Sequence, residues 1–230
     1  MAITPRTARD RGSYDRVAES YDSHFVRPVD RWEDERLASL LAPLVEGRRI
    51  LDLGCGTGWV LDHLSPGAYI GVDRSQVMLD TLRRKHPEAV TFRVEVGEPG
   101  WAGEMPQLVG FVDVVVSTWA AEYFVDLAAL LFDLRARVLG FAPGWIALHG
   151  CQPRGSRRGH FIDPGLAHRG AGFLPRKVAA ASEQAGLHRP LSVGVGATPD
   201  RLAGARWRWD LGLYLPARWH YSALHVWRAN

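Results

Sequence analysis

Residues 49–61 decide the fold, and they read Arg49-Ile50-Leu51-Asp52-Leu53-Gly54-Cys55-Gly56-Thr57-Gly58-Trp59-Val60-Leu61. The first part is a mostly apolar run, which is typical of a strand buried in a parallel sheet. Glycines at alternate positions then allow backbone angles that other residues avoid, and they let a ligand approach the main chain. The residues from Trp59 onward favour a helix, whose first N–H groups attract negative charge. A strand, a glycine turn and a helix in this order predict a nucleotide-type binding site.

The spacing of this loop resembles the first motif of the class I S-adenosylmethionine (SAM)-dependent methyltransferases, an acid followed by x-G-x-G-x-G. It is neither the dinucleotide fingerprint G-x-G-x-x-G nor a phosphate loop ending in Gly-Lys-Ser/Thr. The resemblance implies an α/β fold with a Rossmann-like, doubly wound sheet of seven strands, mostly parallel with an antiparallel last strand. It also implies SAM as cofactor and S-adenosylhomocysteine (SAH) as product. The implied cofactor contacts in this loop are Asp52, Gly54, Cys55, Gly56 and Gly58.

The second predicted strand, residues 68–73, ends in a carboxylate. An acid at the tip of the next parallel strand is where a nucleotide ribose is bound, because a carboxylate can accept hydrogen bonds from both ribose hydroxyls. The resemblance implies this role for Asp73, and we group Arg74 with the cofactor contacts. A helix cap is the alternative for Asp73, but Ser75 already suits that position.

Two further strands are predicted at residues 90–96, which alternate apolar and polar side chains, and at residues 111–117, which are almost wholly apolar. Gly97-Glu98 follows the first of them, where the family usually has Gly-Asp. The resemblance therefore implies that Glu98, one methylene longer, meets the adenine amino group. Ser117 closes the second strand in a segment similar to the family form Phe-Asp-x-Val-x-x-Ser, and we group it with the cofactor residues.

The loop after the 111–117 strand holds Trp119, Glu122 and Tyr123. Ligands in open α/β sheets bind beyond the carboxyl ends of the strands, so this loop is predicted to face the transferred methyl group and Trp119 to contact the substrate. Many family members have a histidine pair where this chain has Glu122-Tyr123. Glu122 is a candidate base and Tyr123 a candidate hydrogen-bonding group, with a solvated helix start and simple packing as the alternatives.

A histidine ends the fifth predicted strand, which covers residues 145–149. His149 is a candidate general base, since the ordinary pKa of histidine lies near neutrality. The alternative is a histidine that belongs to the core. The catalytic candidates are therefore Glu122, Tyr123 and His149.

Aromatic residues recur at helical spacing near the start of the chain, at Tyr14, Tyr21 and Phe25. This segment is similar to the helix that many small-molecule methyltransferases lay over the SAM pocket. The resemblance implies that Tyr21 lines the cofactor, and we assign Tyr14 to the substrate. Anchoring of the helix alone is the alternative. A second helix, capped by Asp30 with Glu33 as the partner of a capping box, is predicted to follow.

The chain is predicted to form a loose tail, residues 1–12, and one SAM-binding domain, residues 13–230, with a helical cap at residues 13–47. Two long connections, residues 150–174 and 198–218, are predicted on the substrate side. Neither internal repeats nor low-complexity segments interrupt this organisation.

The two long connections differ in chemistry. Arginines of the first, among them Arg157 and Arg158, could pair with a carboxylate, a phosphate or a carrier protein, and a solvated loop is the alternative. The second connection holds Trp207, Trp209 and Tyr214, which suggests either a flat organic substrate or a homodimer contact.

The composition of the 230 residues, 47% hydrophobic and 23% charged, is typical of a globular chain. No run approaches the roughly 18 apolar residues of a membrane helix, and the first residues lack the apolar core of a signal peptide. We therefore predict a cytoplasmic protein. The net charge of +3 comes with scattered arginines, which argues against nucleic-acid binding. The two cysteines, Cys55 and Cys151, show neither disulfide nor metal spacing, so we predict no metal site.

The predicted function is methyl transfer from SAM to an O, N or C nucleophile of a small molecule in bacterial secondary metabolism. The substrate could be anionic or bound to a carrier protein. One alternative is an enzyme of the same fold that binds SAM or SAH but catalyses a cyclisation or an elimination, and another is a non-catalytic SAM-binding subunit. Because the donor methyl is already activated, much of the rate can come from positioning, so a fixed catalytic residue is not required.

Overall fold

A seven-stranded sheet in the order β3-β2-β1-β4-β5-β7-β6 forms the centre of the molecule. The computed structural model describes residues 14–105, 110–124, 126–140, 142–151, 175–195 and 222–229. The strands are β1 Arg49–Leu53, β2 Ala68–Asp73, β3 Val90–Arg93, β4 Val114–Ser117, β5 Gly144–Cys151, β6 Leu191–Gly194 and β7 Ser222–Ala229. Strands β1 to β5 are parallel, whereas β7 is antiparallel to both β5 and β6. The predicted Rossmann-like sheet with an antiparallel last strand is confirmed.

Helices connect the strands and cover the sheet. They are α1 Pro28–Val45, α2 Trp59–His63, α3 Gln76–Lys85, α4 Leu127–Asp133 and α5 Pro175–Gln184. Short polar side chains cap two of them, as expected for groups that satisfy the unpaired N–H groups of a first turn. Ser75 Oγ accepts the N–H of Met78 at 3.2 Å, and Asp126 Oδ1 accepts that of Ala129 at 3.0 Å. Within the described residues, the helices are too short or too polar to cross a membrane.

The start of α1 differs from the prediction. The helix begins at Pro28, two residues before Asp30, because proline lacks an N–H and suits the first helical position. Asp30 caps the helix from its third position, where its carboxylate accepts the N–H of Arg27 at 3.1 Å. The predicted partner of the capping box, Glu33, is buried instead.

The apolar core lies on both faces of the sheet, as expected for parallel strands covered by helices. Successive side chains of a strand point to opposite faces. Leu51 and Val115 accordingly pack in one cluster with α4 and α5, while Ile50 and Val114 pack in the other with α1 and α3. Burial on both faces explains why these strands read as continuous apolar runs.

The order of the strands reverses between β1 and β4. Strands β2 and β3 follow on one side of β1, and β4 and β5 on the other. The connections leaving β1 and β4 therefore diverge and leave a crevice beyond the carboxyl ends of these strands, which is where ligands bind in open α/β sheets.

Candidate functional site

A cavity of about 440 Å³ occupies this crevice. Its walls come from the glycine loop after β1, the ends of β2 and β3, the loop after β4, α1 and the segment before α1. The volume lies in the range of small-molecule and cofactor sites.

The three glycines of the loop all have positive φ, but their steric surroundings differ. A Cβ on Gly54 would lie 2.6 Å from the Cβ of Ala120, so this position keeps the loop close to the residues after β4. A Cβ on Gly58 would lie 3.1 Å from Leu82, which lets α2 approach α3. Gly56 lines the cavity, and a Cβ there would meet nothing within 4 Å. The backbone at Gly56 is therefore open to a ligand.

Asp73 is joined to this loop by a hydrogen bond. Its Oδ2 accepts the N–H of Gly56 at 2.9 Å, and its Oδ1 accepts the N–H of Ser75 at 2.8 Å. Desolvation raises the pKa of Asp73, and the two N–H donors counteract that rise. Each carboxylate oxygen has a second lone pair, and Asp73 lines the cavity. A carboxylate fixed beside an open backbone fits the ribose hydroxyls and the sugar edge of an adenosine group.

Asp52 and Ser117, both predicted to contact the cofactor, lie in the supporting structure behind the glycine loop. Asp52 is 1% exposed and its Oδ2 accepts the hydroxyl of Tyr69 at 3.0 Å. Desolvation raises the pKa of Asp52 to about 7, against the lowering effect of Tyr69. Ser117 is fully buried and its Oγ donates to the carbonyl of Leu53 at 2.8 Å, which braces β4 against β1.

At the end of β3, the cavity wall is formed by Glu95 and Val96. Gly97 and Glu98, predicted to meet the adenine, are exposed outside it. The strand ends at Arg93, earlier than predicted, so the chain turns away before residue 97. The Arg74 guanidinium lies 3.6 Å from the Glu95 carboxylate, and both side chains line the cavity.

Three tyrosines meet on one wall of the cavity. Tyr14 and Tyr21 come from the segment before α1, where residues 14–17 are α-helical and Ala18–His24 form a 3-10 helix. The hydroxyl of Tyr14 is hydrogen-bonded to that of Tyr123, and the Tyr14 ring lies near Tyr21 with 6.2 Å between centroids. The structure thus brings the predicted residues Tyr14, Tyr21 and Tyr123 together on one wall.

Two aspartates hold the same segment against the glycine loop. Asp22 accepts the hydroxyl of Thr57 at 2.5 Å and pairs with the Lys85 ammonium at 2.9 Å. Asp15 accepts the hydroxyl of Ser75. Because Thr57 lies in the glycine loop and Ser75 two residues after Asp73, the segment contacts both elements that would hold the cofactor. These polar contacts were not foreseen, since the sequence shows the aromatic spacing but not what faces the aspartates.

The loop after β4 places Trp119 and Tyr123 on the cavity wall. His149 lies behind Trp119: it is fully buried, and the two ring centroids are 4.3 Å apart. Desolvation lowers the pKa of His149 to about 3, so the imidazole is neutral. The side chain of Glu122 lies outside the described residues, as do Arg157, Arg158 and the 198–218 connection.

Carboxylates of α1 also reach the cavity, and sequence reasoning missed them. Asp30, Glu33 and Asp34 line it, and Asp34 accepts the indole N–H of Trp59 at 2.7 Å. Glu33 and Asp34 follow Asp30 by three and four residues, a spacing that puts side chains on one face of a helix. From the sequence, Asp30 and Glu33 indicate only a helix cap. The full set of described carboxylate residues on the wall is Asp22, Asp30, Glu33, Asp34, Asp62, Asp73 and Glu95. They outnumber the two arginines described there, Arg31 and Arg74.

Comparison with known proteins gives three results. Residues 50–140 match a family described as a methyltransferase domain. The chain is 30% identical over 141 residues to the malonyl-[acyl-carrier protein] O-methyltransferase of Bacillus cytotoxicus, in a match covering 55% of this chain and 45% of that protein. The chain thus spans less than half the length of this curated relative.

Two solved structures have a similar fold. One is a methyltransferase in complex with the Trm112 methyltransferase activator of Haloferax volcanii, with a TM-score of 0.65, 19% identity and coverage of 98% of this chain and 99% of that chain. The other is a SAM-dependent methyltransferase from Mesorhizobium loti, with a TM-score of 0.60, 18% identity and coverage of 87% and 99%.

The family match and the topology of the sheet both indicate a methyltransferase fold. The match to a methyltransferase domain begins in β1 and includes the glycine loop and Asp73. The seven-stranded sheet has the antiparallel β7 expected from the resemblance. The Mesorhizobium loti protein is SAM-dependent, and the cavity beside Gly56 and Asp73 fits the adenosine part of SAM. Residues 50–140 therefore match a methyltransferase domain, and the chain has the fold of SAM-dependent methyltransferases.

Proposed function

We propose that this protein transfers a methyl group from SAM to an O, N or C nucleophile of a small molecule. The observation that carries the proposal is the junction of Gly56 and Asp73, where an open backbone and a fixed carboxylate meet at 2.9 Å on the wall of the cavity. Two main-chain N–H groups hold the Asp73 carboxylate beside Gly56, where the backbone is open. A crevice that binds no ligand would not require this arrangement.

Residues on the wall of the cavity can bind the methyl donor and orient the methyl acceptor. When bound, SAM supplies a methyl group on a sulfonium, which is already activated for displacement. Asp73 would accept the ribose hydroxyls, with charge-assisted strength. The carboxylates of the wall, Glu95 among them, favour the positive charge of the donor, since charges attract more strongly in a cavity than in bulk water. The paired hydroxyls of Tyr14 and Tyr123 would orient the acceptor, and Glu122 remains the candidate for a base.

The lining of the cavity supports an acceptor that is a small molecule with aromatic or cationic character. Aromatic rings line the cavity, namely those of Tyr14, Tyr21, Phe25, Trp59, Trp119, Tyr123 and Phe124. Aromatic faces together with carboxylates favour flat rings and amines. The anionic substrate predicted from Arg157 and Arg158 depends on residues outside the described ranges. A cytoplasmic location, a role in secondary metabolism and a homodimer also stay predictions from the sequence.

A second candidate is methylation of an acyl group on a carrier protein. It is supported by the Bacillus cytotoxicus relative, whose name gives malonyl-acyl-carrier protein as its substrate. Under this proposal the arginines of the 150–174 connection would meet the acidic carrier.

Cofactor binding is tested first, by titrating SAH into the protein in a calorimeter. We expect Asp73→Asn to weaken SAH binding by about 1.5–3 kcal/mol, the range for hydrogen bonds to a charged group. Asp80→Asn is the matched control, because Asp80 is an exposed carboxylate on α3 and bonds to Gln76 and Arg83. Equal SAH affinities for wild type and Asp73→Asn, with both proteins folded, would contradict the ribose role.

Activity is tested with SAM that carries a labelled methyl group. Transfer of label to a small amine or phenol supports the main proposal, and transfer only to an acyl-carrier protein supports the second. SAM-dependent conversion of an acceptor without transfer of label would support the cyclisation or elimination alternative. SAH binding without turnover of any acceptor would support a binding subunit.

A further inference from the structure

Trp119 has a backbone conformation that a bulky residue rarely adopts. Its φ is 56°, and it is the one non-glycine residue with positive φ among the residues described. For a large side chain such an angle persists only when the surroundings hold it, and outliers of this kind concentrate at functional sites. Trp119 lines the cavity, so the unusual angle lies in the site itself.

The loop that carries Trp119 is confined from the side of the cofactor. Ala120 approaches Gly54 so closely that a Cβ on the glycine would lie 2.6 Å from the Cβ of the alanine. The backbone at residues 119 and 120 therefore cannot relax toward the glycine loop.

His149 confines the same loop from the other side. Its Nδ1 accepts the backbone N–H of Trp119 at 3.4 Å, and the rings meet edge to face at 88°. Accepting at Nδ1 places the proton of the neutral ring on Nε2, which is buried and has no hydrogen-bond partner in the part of the chain described. The imidazole thus directs its one used nitrogen at Trp119, not at the cavity.

We propose that His149 is a positioning residue that holds Trp119 in its positive-φ conformation and so sets the shape of the acceptor side of the cavity. On this view, His149 is not the general base for which its place at a strand end made it a candidate. The proposal rests on the proposed function, since it assigns the space beside Trp119 to the acceptor. It predicts that acceptor selectivity depends on a side chain that touches no ligand.

The test uses side chains that differ in where they place a hydrogen-bond acceptor for the N–H of Trp119. His149→Asn keeps a hydrogen-bond acceptor near the position of Nδ1. His149→Gln moves it toward the position of Nε2, and His149→Leu removes it. The protein is labelled with 5-fluorotryptophan, and Trp119→Phe assigns the Trp119 resonance among the nine tryptophans. His225→Asn is the control: His225 lies on β7, with Nδ1 2.8 Å from Ser192 Oγ.

All three substitutions remove the neighbouring ring and shift the Trp119 resonance, so the readout is its linewidth. The expected result is a Trp119 resonance that stays sharp in His149→Asn and in the control, and that is broadened or split in His149→Leu and His149→Gln. Exchange of the Trp119 amide hydrogen should accelerate about tenfold to a hundredfold in His149→Leu, as expected when a buried donor loses its acceptor. A general loss of stability would accelerate exchange throughout the core and would not be rescued by asparagine.

Two results would overturn the proposal. One is a folded His149→Leu protein whose Trp119 linewidth and amide exchange match wild type. The other, which applies even if the leucine variant does not fold, is the same Trp119 linewidth and the same amide exchange in the asparagine and glutamine variants. Titration with SAH separates this proposal from the proposed function: wild type that fails to bind SAH refutes the function, whereas the Trp119 comparison is made on the ligand-free protein.

Discussion

Single buried carboxylates determine how this molecule responds to pH. Asp52 lies behind the glycine loop with a pKa of about 7, raised by desolvation, while its neighbour Asp73 also has a raised pKa. Below about pH 4 Asp52 is protonated in both the folded and unfolded chain. Between there and pH 7 the unfolded chain releases the proton and the folded chain keeps it, so the stability contributed by protonated Asp52 is lost as pH rises through this window.

Replacing Asp52 should remove that loss. We expect Asp52→Asn to flatten the decline in the free energy of unfolding between pH 4 and 7 and to stabilise the protein at pH 8 by about 2–4 kcal/mol. Urea denaturation at several pH values measures this. His149 has a lowered pKa of about 3 and gives a slope of opposite sign below neutrality, so the difference between variant and wild type is the relevant quantity. Asp80→Asn, an exposed control, should leave the profile unchanged, and an Asp52→Asn profile parallel to wild type would refute the raised pKa.

Glu95 and Glu98 are the two candidates for the residue that contacts the adenine. Glu95 lines the cavity and Glu98 does not. We expect Glu95→Gln to weaken SAH binding by about 1.5–3 kcal/mol and the matched variant Glu98→Gln to change it little. Calorimetry with SAH decides between them, and the reverse order of effects would favour the position implied by the family motif.

Residues are easier to place from the sequence where a motif fixes the backbone than where a strand end has to be located. Asp73 follows a long apolar strand and lines the cavity, and its role in binding the cofactor stays a prediction. Glu98 was displaced because β3 stops at Arg93, and nothing in the alternation of residues 90–96 shows that the pairing with β2 ends there. The position of His149 behind Trp119 could not be predicted, since it depends on a backbone angle that no local pattern encodes.

The segment before α1 is the element that completes the site. It brings Tyr14 to Tyr123 and binds the glycine loop through Asp22 and Thr57. The ion pair between Asp22 and Lys85 is partly exposed and contributes little. The hydroxyl of Thr57, a residue that is 4% exposed, is therefore the stronger of the two attachments.

Loss of that hydroxyl should loosen the segment. In Thr57→Val we expect trypsin cleavage at Arg16, which is exposed, to accelerate roughly twofold to tenfold, as for the loss of one hydrogen bond. Thr57→Ser keeps the hydroxyl and should behave as wild type. SAH should slow the cleavage in all three proteins. Equal cleavage rates for valine and threonine would show that the other contacts hold the segment without this hydroxyl.

Across the whole molecule, the inserted strand β7 connects the sheet to α5. The buried indole N–H of Trp227 donates to Ser182 Oγ at 2.8 Å, and Ser182 in turn donates to the carbonyl of Val178 at 2.6 Å. The order of the strands was predictable because the glycine loop identified a family with one topology. The bond between β7 and α5 was not, because it joins residues far apart in sequence that show no common pattern.

This bond should contribute to global stability. Ser182→Ala leaves a buried N–H without its acceptor, so we expect a loss of about 1–3 kcal/mol in the free energy of unfolding by urea. Adding Trp227→Phe removes the donor as well, and the double variant should lose less than the sum of the single changes. Ser39→Ala, an exposed helical serine that bonds to the carbonyl of Arg36, is the control and should change stability by less than about 0.5 kcal/mol. Strict additivity would mean that the two side chains act independently.

The close approach of Gly54 to Ala120 has an evolutionary consequence. Any larger residue at position 54 requires residue 120 to move away from the glycine loop. That movement would displace the neighbouring Trp119. Natural variation at these two positions should therefore be correlated, and descendants of this chain could acquire new acceptors through changes around Trp119 far more readily than through changes in the glycine loop.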